Sequence, residues 1–385
     1  MRSYYPMFDL ETSCIVRDLV RDSRGGEAYL NVRPYLQRFA LNTTLTLCYG
    51  IRMDEVWDDL LREVLEVGSA ISLLRSASEN YQDYIPLLRY LPNNEKTQRS
   101  KSLRARRDKY LNELLDRVRD MIAKGTDKPC VSAAILKDEE TRLSGVEVSS
   151  ICLSLVSGGF ETIPGTLTSC IGSLSLPEGQ VFQDRAYEDI KRHYPDVEHA
   201  WEKSLEIEDI PYINAIVKEA ARYYTVSAMS LPRRAYTDIE WDGAIIPKGT
   251  MILINAQAAN HSVAHFGPDA GTFNPERWLQ GDPPEEVPTT GIQHFSFGAG
   301  SRMCSGQYIA SRMLYTALVR LICSFRIVAS DDEPPNTDYV DYNHFKSALV
   351  AIPRDFKIKL LPRDAGVTAE CLKAAEARTR DAYAA

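Results

Sequence analysis

Phe297-Gly298-Ala299-Gly300-Ser301-Arg302-Met303-Cys304-Ser305-Gly306 decides the reading of this chain: one cysteine in a glycine-rich loop, directly ahead of a segment with helical pattern. Gly298, Gly300 and Gly306 permit tight turns and let the backbone approach a flat cofactor, because glycine has no Cβ to strain or collide. The amides that open the next helix stabilise a sulfur anion at that helix end. Arg302, two residues upstream of the sulfur, carries a planar fork that suits a carboxylate. Such residues offer a thiolate to a metal held in a flat ring. The plain alternative is a glycine-rich turn around a packed cysteine, a residue that commonly behaves as a small hydrophobe. A cysteine alone would favour that alternative; six spaced residues within ten oppose it.

The pattern F-G-x-G-x-R-x-C-x-G resembles the haem-binding signature of the cytochromes P450. The resemblance implies haem b, with its iron on the Cys304 thiolate, which favours O–O cleavage. It implies Phe297 beside the sulfur, Gly298 and Gly306 shaping the loop, and Arg302 paired with a haem propionate. His294 stands where some members place a histidine against a propionate, although a partly buried polar residue would look the same. Arg233 in Leu231-Pro232-Arg233-Arg234 suits the other propionate, with Arg234 as the competing candidate.

The chain can build a large core: 385 residues, 44% of them hydrophobic. Its 53 acidic and 45 basic residues leave a formal charge of -8, which argues against a basic groove for nucleic acid and for small-molecule chemistry. The eight cysteines are scattered without a C-x-x-C pair and read as reduced thiols. No run of 18 or more apolar residues occurs, and Met1-Arg2-Ser3-Tyr4-Tyr5-Pro6 lacks the apolar core of a signal peptide, so no membrane span is expected in this chain.

Helical periodicity marks Phe39 to Tyr49, Val56 to Leu74, Leu103 to Ile122, and a long apolar stretch from Val146 to about Leu174. Leu91-Pro92-Asn93-Asn94 and Lys124-Gly125-Thr126-Asp127 are turn signals between them. Ser144-Gly145-Val146-Glu147 reads as a capping box opening the long helix. From Ile239 to Ile254 the pattern changes to short strands and turns, which predicts a small sheet. A one-faced helix follows Cys304, strand-like alternation runs from Phe345 to Leu361, and Ala365 to Ala385 is an Ala- and charge-rich tail, a surface helix or frayed end.

Glu219-Ala220-Ala221-Arg222 puts an acid and a base on one helix face. Alone, that is commonly a solvated ion pair. Phe273-Asn274-Pro275-Glu276-Arg277-Trp278 lies between it and the cysteine loop, in the order the P450 family uses. The resemblance then implies a buried network of Glu219, Arg222 and Arg277, whose role is structural. Inside the long helix, Ser157-Gly158-Gly159-Phe160-Glu161-Thr162-Ile163-Pro164 weakens the hydrogen-bond ladder, since Pro164 has no N–H for the Phe160 carbonyl. An imperfect core helix would read alike. The resemblance assigns Glu161 and Thr162 to the family's acid–alcohol pair, which hands protons to dioxygen.

The resemblance covers about Tyr5 to Arg363. The expected fold is mainly α with a small β region, a P450 fold lacking its N-terminal anchor, first strands and early helices; residues 1–364 form the truncated domain and 365–385 the tail. The family's W-x-x-x-R propionate motif is not found before Trp57, the first tryptophan. Within the family, the motifs look most like fungal enzymes of the phenylacetate hydroxylase group. The implied activity is a monooxygenase that inserts one atom of O2 into an apolar or aromatic molecule, in aromatic acid catabolism or secondary metabolism. Electrons are expected from NADPH through a separate NADPH-cytochrome P450 reductase, since no G-x-G-x-x-G follows a strand. A full-length form would face the cytosol on the endoplasmic reticulum membrane. The rival readings are an inactive remnant and a P450 performing coupling, ring closure or desaturation.

Overall fold

A computed structural model describes residues 4–75, 85–90, 94–138, 140, 143–279 and 293–380. The described residues form fourteen α-helices and six short strands. The first five helices are α1 (Tyr5–Ser23), α2 (Arg33–Tyr49), α3 (Asp59–Leu74), α4 (Asn94–Lys124) and α5 (Val131–Lys137). Local chemistry sets their ends. Pro6 and Pro34 sit in the first turns of α1 and α2, where no N–H is missed. Gly50 closes α2 at φ 66°, its N–H on the Thr46 carbonyl at 2.9 Å. The Asp58 side chain accepts from the amides of Leu60 and Leu61, so α3 starts at Asp59 and Val56 stays in the preceding turn. Of the turn expected at Leu91-Pro92-Asn93-Asn94, the first three residues lie outside the described residues, and Asn94 opens α4.

The long helix expected from Val146 to Leu174 is two: α6 (Gly145–Gly159) and α7 (Thr162–Ser175). Its capping box is present, with the Ser144 amide on Glu147 Oε2 at 2.8 Å and the Glu147 amide on Ser144 Oγ at 3.3 Å. The break falls at Phe160-Glu161, four residues before Pro164. By length and composition, Gly145–Ser175 is long and apolar enough to cross a membrane, although small polar residues interrupt its apolar runs. Every residue from Ile163 to Ser175 is buried within the protein, as in a core helix.

Next come α8 (Pro177–His193), α9 (Val197–Lys203) and α10 (Pro211–Tyr224). Strands β1 (Arg233–Arg234), β2 (Ile239–Trp241), β3 (Ala244–Ile246) and β4 (Met251–Ile252) occupy the expected β region. It holds two separate antiparallel ladders, β1 with β4 and β2 with β3, rather than one sheet. Asp242 and Gly243, both at positive φ, turn the β2–β3 hairpin. Short helices α11 (Ala256–Asn260) and α12 (Val263–Phe266) lead toward the cysteine loop, and α13 (Gln307–Ser324) follows it.

β5 (Phe325–Ala329) pairs with β6 (Ile358–Pro362), Phe325 opposite Pro362. The alternation read from Phe345 to Leu361 is therefore a strand only at its end. Between Phe345 and Lys357 the backbone is mostly irregular, because the Asn343 side chain takes the amides of Phe345 and Ile352 and Pro353 has no N–H to give. The tail forms α14 (Ala365–Thr379), whose inner face of Thr368, Cys371, Ala375 and Thr379 is buried. It packs on α1, and Arg378 Nε donates to Asp9 Oδ2 at 2.8 Å.

The larger core joins α1, α2, α7, α10 and α13 through residues such as Leu36, Phe39, Ile171, Ile213 and Leu318. A second core joins α2, α3, α4 and α6 through Leu45, Val67, Leu114 and Val156. α2 lies between them, and the break between α6 and α7 falls where one core gives way to the other.

Candidate active site

Glu219 is fully buried on α10, and its carboxylate receives five donors. Arg222 gives Nη2 to Oε1 at 2.7 Å and Nε to Oε2 at 2.9 Å. Asn274 N donates to Oε1 at 2.8 Å, Arg277 Nε to Oε1 at 3.2 Å, and Trp278 Nε1 to Oε2 at 2.9 Å. The remaining guanidinium hydrogens are also placed. Arg222 reaches the carbonyls of Asn260, Ala270 and Thr272 at 2.7, 2.8 and 3.0 Å. Arg277 Nη2 pairs with Asp269 Oδ2 at 3.0 Å. The expected network of Glu219, Arg222 and Arg277 is thus a clamp on several backbone carbonyls, among them those of the buried residues Asn260 and Ala270, which need a donor.

The clamp extends to the cysteine loop through Asn260, a fully buried residue that sequence reasoning missed. Its Oδ1 accepts from Phe295 N at 2.7 Å, and its Nδ2 donates to Ser296 Oγ at 3.0 Å and Thr225 Oγ1 at 2.8 Å. Ser296 Oγ donates onward to the Ala221 carbonyl at 2.5 Å. The approach to Phe297 is therefore tied to α10 and α11. No motif flags an asparagine at the end of a short helix. Trp278 and Asp269 were missed as partners too, although Trp278 closes the Phe273–Trp278 motif.

Cys304 N donates to the Phe297 carbonyl at 2.8 Å and closes the loop. Gly298 and Gly300 have φ of 74° and 68°, the left-handed region that disfavours other residues, and a Cβ on either would meet nothing within 4 Å. Gly306 differs from the sequence reading: its φ is -87°, so no turn requires glycine there. A Cβ on it would lie 3.8 Å from Cys304 Sγ, an ordinary contact distance beside the sulfur. Cys304 and Arg302 are exposed. Arg233 Nη2 donates to the Arg302 carbonyl at 3.1 Å, whereas Arg234 Nε turns to the Gly249 carbonyl at 3.2 Å. Of the two arginines, the structure brings Arg233 to the loop.

His294 packs its ring against Trp278 and Phe297, with centroids at 6.2 and 5.6 Å. Burial, with help from Lys218 and Arg222, pushes its pKa down to about 4, so the ring is neutral at physiological pH. Its Nδ1 accepts from Ser296 N at 3.4 Å.

At the helix break Glu161 is 7% exposed, and burial raises its pKa above the ordinary carboxylate range. Thr162 Oγ1 donates to the Gly158 carbonyl at 3.0 Å. The face of α6 leading to it is open: Ser154 and Leu155 are exposed, and a Cβ on Gly158 would meet nothing within 4 Å. The start of α7 is wedged tightly, since a Cβ on Gly165 would lie 2.8 Å from the Ala351 carbonyl oxygen. α7 also packs on α13, the helix that leaves the cysteine loop. Thr162 and Cys304 are therefore carried by adjoining elements.

A mainly helical fold, a cysteine loop at a helix start and a buried Glu–Arg clamp together define a class, and the family model for Cytochrome P450 matches residues 1–360: the chain belongs to this family of monooxygenases. It is 45% identical over 383 residues to phenylacetate 2-hydroxylase of Emericella nidulans, covering 98% of this chain and 72% of that protein. It is 35% identical over 369 residues to 3-hydroxyphenylacetate 6-hydroxylase of the same organism, covering 94% and 68%. A cytochrome P450 monooxygenase of Mycosarcoma maydis is 35% identical over 371 residues, covering 94% and 67%.

The family's cofactor is a haem with a thiolate on its iron. The loop fits that group. It presents an accessible thiol at a helix start, two glycines with open space where side chains would intrude, and two guanidinium groups near the sulfur's loop for carboxylates.

Proposed function

We propose that the protein hydroxylates the ring of an arylacetate or a closely related aromatic acid. One atom of O2 enters the product and the other leaves as water, with two electrons and two protons taken up. What carries this reading is the 45% identity across 98% of the chain with a protein named for hydroxylating phenylacetate. A second relative named for a hydroxyphenylacetate supports the same substrate class.

Cys304 is the residue for iron, and bound haem supplies the oxidising chemistry. Phe297, Gly298 and Gly306 shape the bed for it. Arg302, Arg233 and neutral His294 hold its carboxylates. Glu161, kept protonated more readily than an ordinary carboxyl, donates protons toward Thr162. Thr162 passes them on once its hydroxyl turns away from the Gly158 carbonyl. Electrons come from NADPH through a separate flavoprotein reductase, and by resemblance the pair works on the cytosolic face of the endoplasmic reticulum membrane.

The test is turnover of the haem-loaded protein with reductase, NADPH and isotopically labelled O2, offering phenylacetate, 3-hydroxyphenylacetate and larger aromatics. A ring-hydroxylated arylacetate carrying one labelled oxygen is expected. An intact thiolate spectrum with no product from any arylacetate overturns the substrate assignment.

A further inference from the structure

Helix α3 comes unusually close to the helix break. A Cβ on Gly68 would lie 2.3 Å from Phe160 Cζ, so only glycine at 68 lets α3 rest on this ring. Ser69 and Ser72, one turn apart on the same helix, then come beside the next residue, Glu161. Their hydroxyls are near enough to oppose the rise in the Glu161 pKa that burial causes. Glu161 and Ser72 are each 7% exposed, and neither Glu161 Oε1 nor Ser72 Oγ has a hydrogen-bond partner among the described residues. Two buried polar atoms of complementary chemistry that lie near each other without a closed hydrogen bond are expensive to keep in a core for stability alone. Ser69 is half-buried and opens the pair toward the surface of α3.

We propose that Ser69 and Ser72 are the proton intake of this site, a relay on α3 that reprotonates Glu161 after it has given up its proton. This rests on the reading of Glu161 as the proton donor. In the relay step Ser72 Oγ passes its proton to the Glu161 carboxylate and takes one from Ser69 or from solvent behind it, so each hydroxyl ends as it began. One proton enters at α3 for each proton that leaves Glu161. Ser72 touches no substrate and acts through Glu161, as a positioning and relay residue.

The experiment compares Ser72→Val with Ser72→Thr in the haem-loaded protein; the two have the same shape and differ in the hydroxyl. Glu161→Gln and Ser69→Ala/Ser72→Val serve as companions. The first readout is the infrared carbonyl band of the protonated carboxyl, identified as the band missing from Glu161→Gln. Ser72→Val is expected to shift that band to higher frequency, and Ser72→Thr to restore it. The second is product formed per NADPH. Ser72→Val is expected to lower it about tenfold and to enlarge the solvent deuterium isotope effect, less than the roughly 10²-fold of losing the proton donor itself. Unchanged band and coupling in Ser72→Val, with coupling lost in Glu161→Gln, overturn the relay and leave the Glu161 reading standing. Full coupling in Glu161→Gln overturns both.

Discussion

The Glu219 clamp and the Cys304 loop are neighbours with opposite characters. In the clamp every strong donor and acceptor is matched by the polypeptide, and Glu219 and Arg222 are wholly buried. In the loop the residues from Ser301 to Ser305 are exposed, and Gly298 and Gly300 face open space. Asn260 joins the two, with its carbonyl in the clamp and its side chain holding the loop's entrance. The contrast teaches a division of labour. The clamp uses buried charge to fix a piece of backbone that has little regular structure of its own, and the loop can then hold a shape without packing its own side chains.

If that division is right, substitutions in the clamp should damage folding and substitutions in the loop should damage chemistry. The largest expected effect is from Glu219→Ala, which leaves two guanidinium groups and the Trp278 N–H without their acceptor. Chemical unfolding should show a loss of about 3–5 kcal/mol, close to the whole stability of many domains. Asn260→Ala comes next, at about 1–3 kcal/mol for a multiply bonded buried amide, and hydrogen exchange should quicken at Phe295 and Ser296. Gly300→Ala forces a side chain into left-handed backbone and should cost about 1–2 kcal/mol without changing the clamp.

Glu161→Gln sharpens the comparison through pH. With its pKa raised by burial, the folded protein keeps a proton that the unfolded chain releases. Stability of the parent should therefore fall as pH rises from the ordinary carboxylate range through the raised value, and stay low above it. In Glu161→Gln that fall should be absent from a series of unfolding curves across this pH window.

What the sequence revealed follows the same division. The loop was legible because glycines, an arginine and a cysteine at fixed spacing are local chemistry. Glu219, Arg222 and Arg277 were legible as a network through family order. Their carbonyl partners at Asn260, Ala270 and Thr272 were not, since a backbone acceptor has no sequence signature. Pro164 and the two glycines announced a weak point in the long helix, and its consequence is a full break at Phe160-Glu161. The approach of α3 through Gly68 was hidden, because a lone glycine in a helical pattern reads as a local imperfection. Phe345 to Lys357 misled because alternation says nothing of Asn343, whose side chain takes amides that a ladder needs. α14 on α1 depends on Asp9 meeting Arg320 and Arg378, pairs that only the tertiary fold brings together.

The most direct test of the account is the carbon-monoxide difference spectrum of the reduced, haem-loaded protein beside its Cys304→Ala variant. The account predicts the red-shifted Soret band of a thiolate-ligated haem in the parent, and its loss in the variant with the far-ultraviolet circular dichroism unchanged. The same band persisting in Cys304→Ala would contradict it.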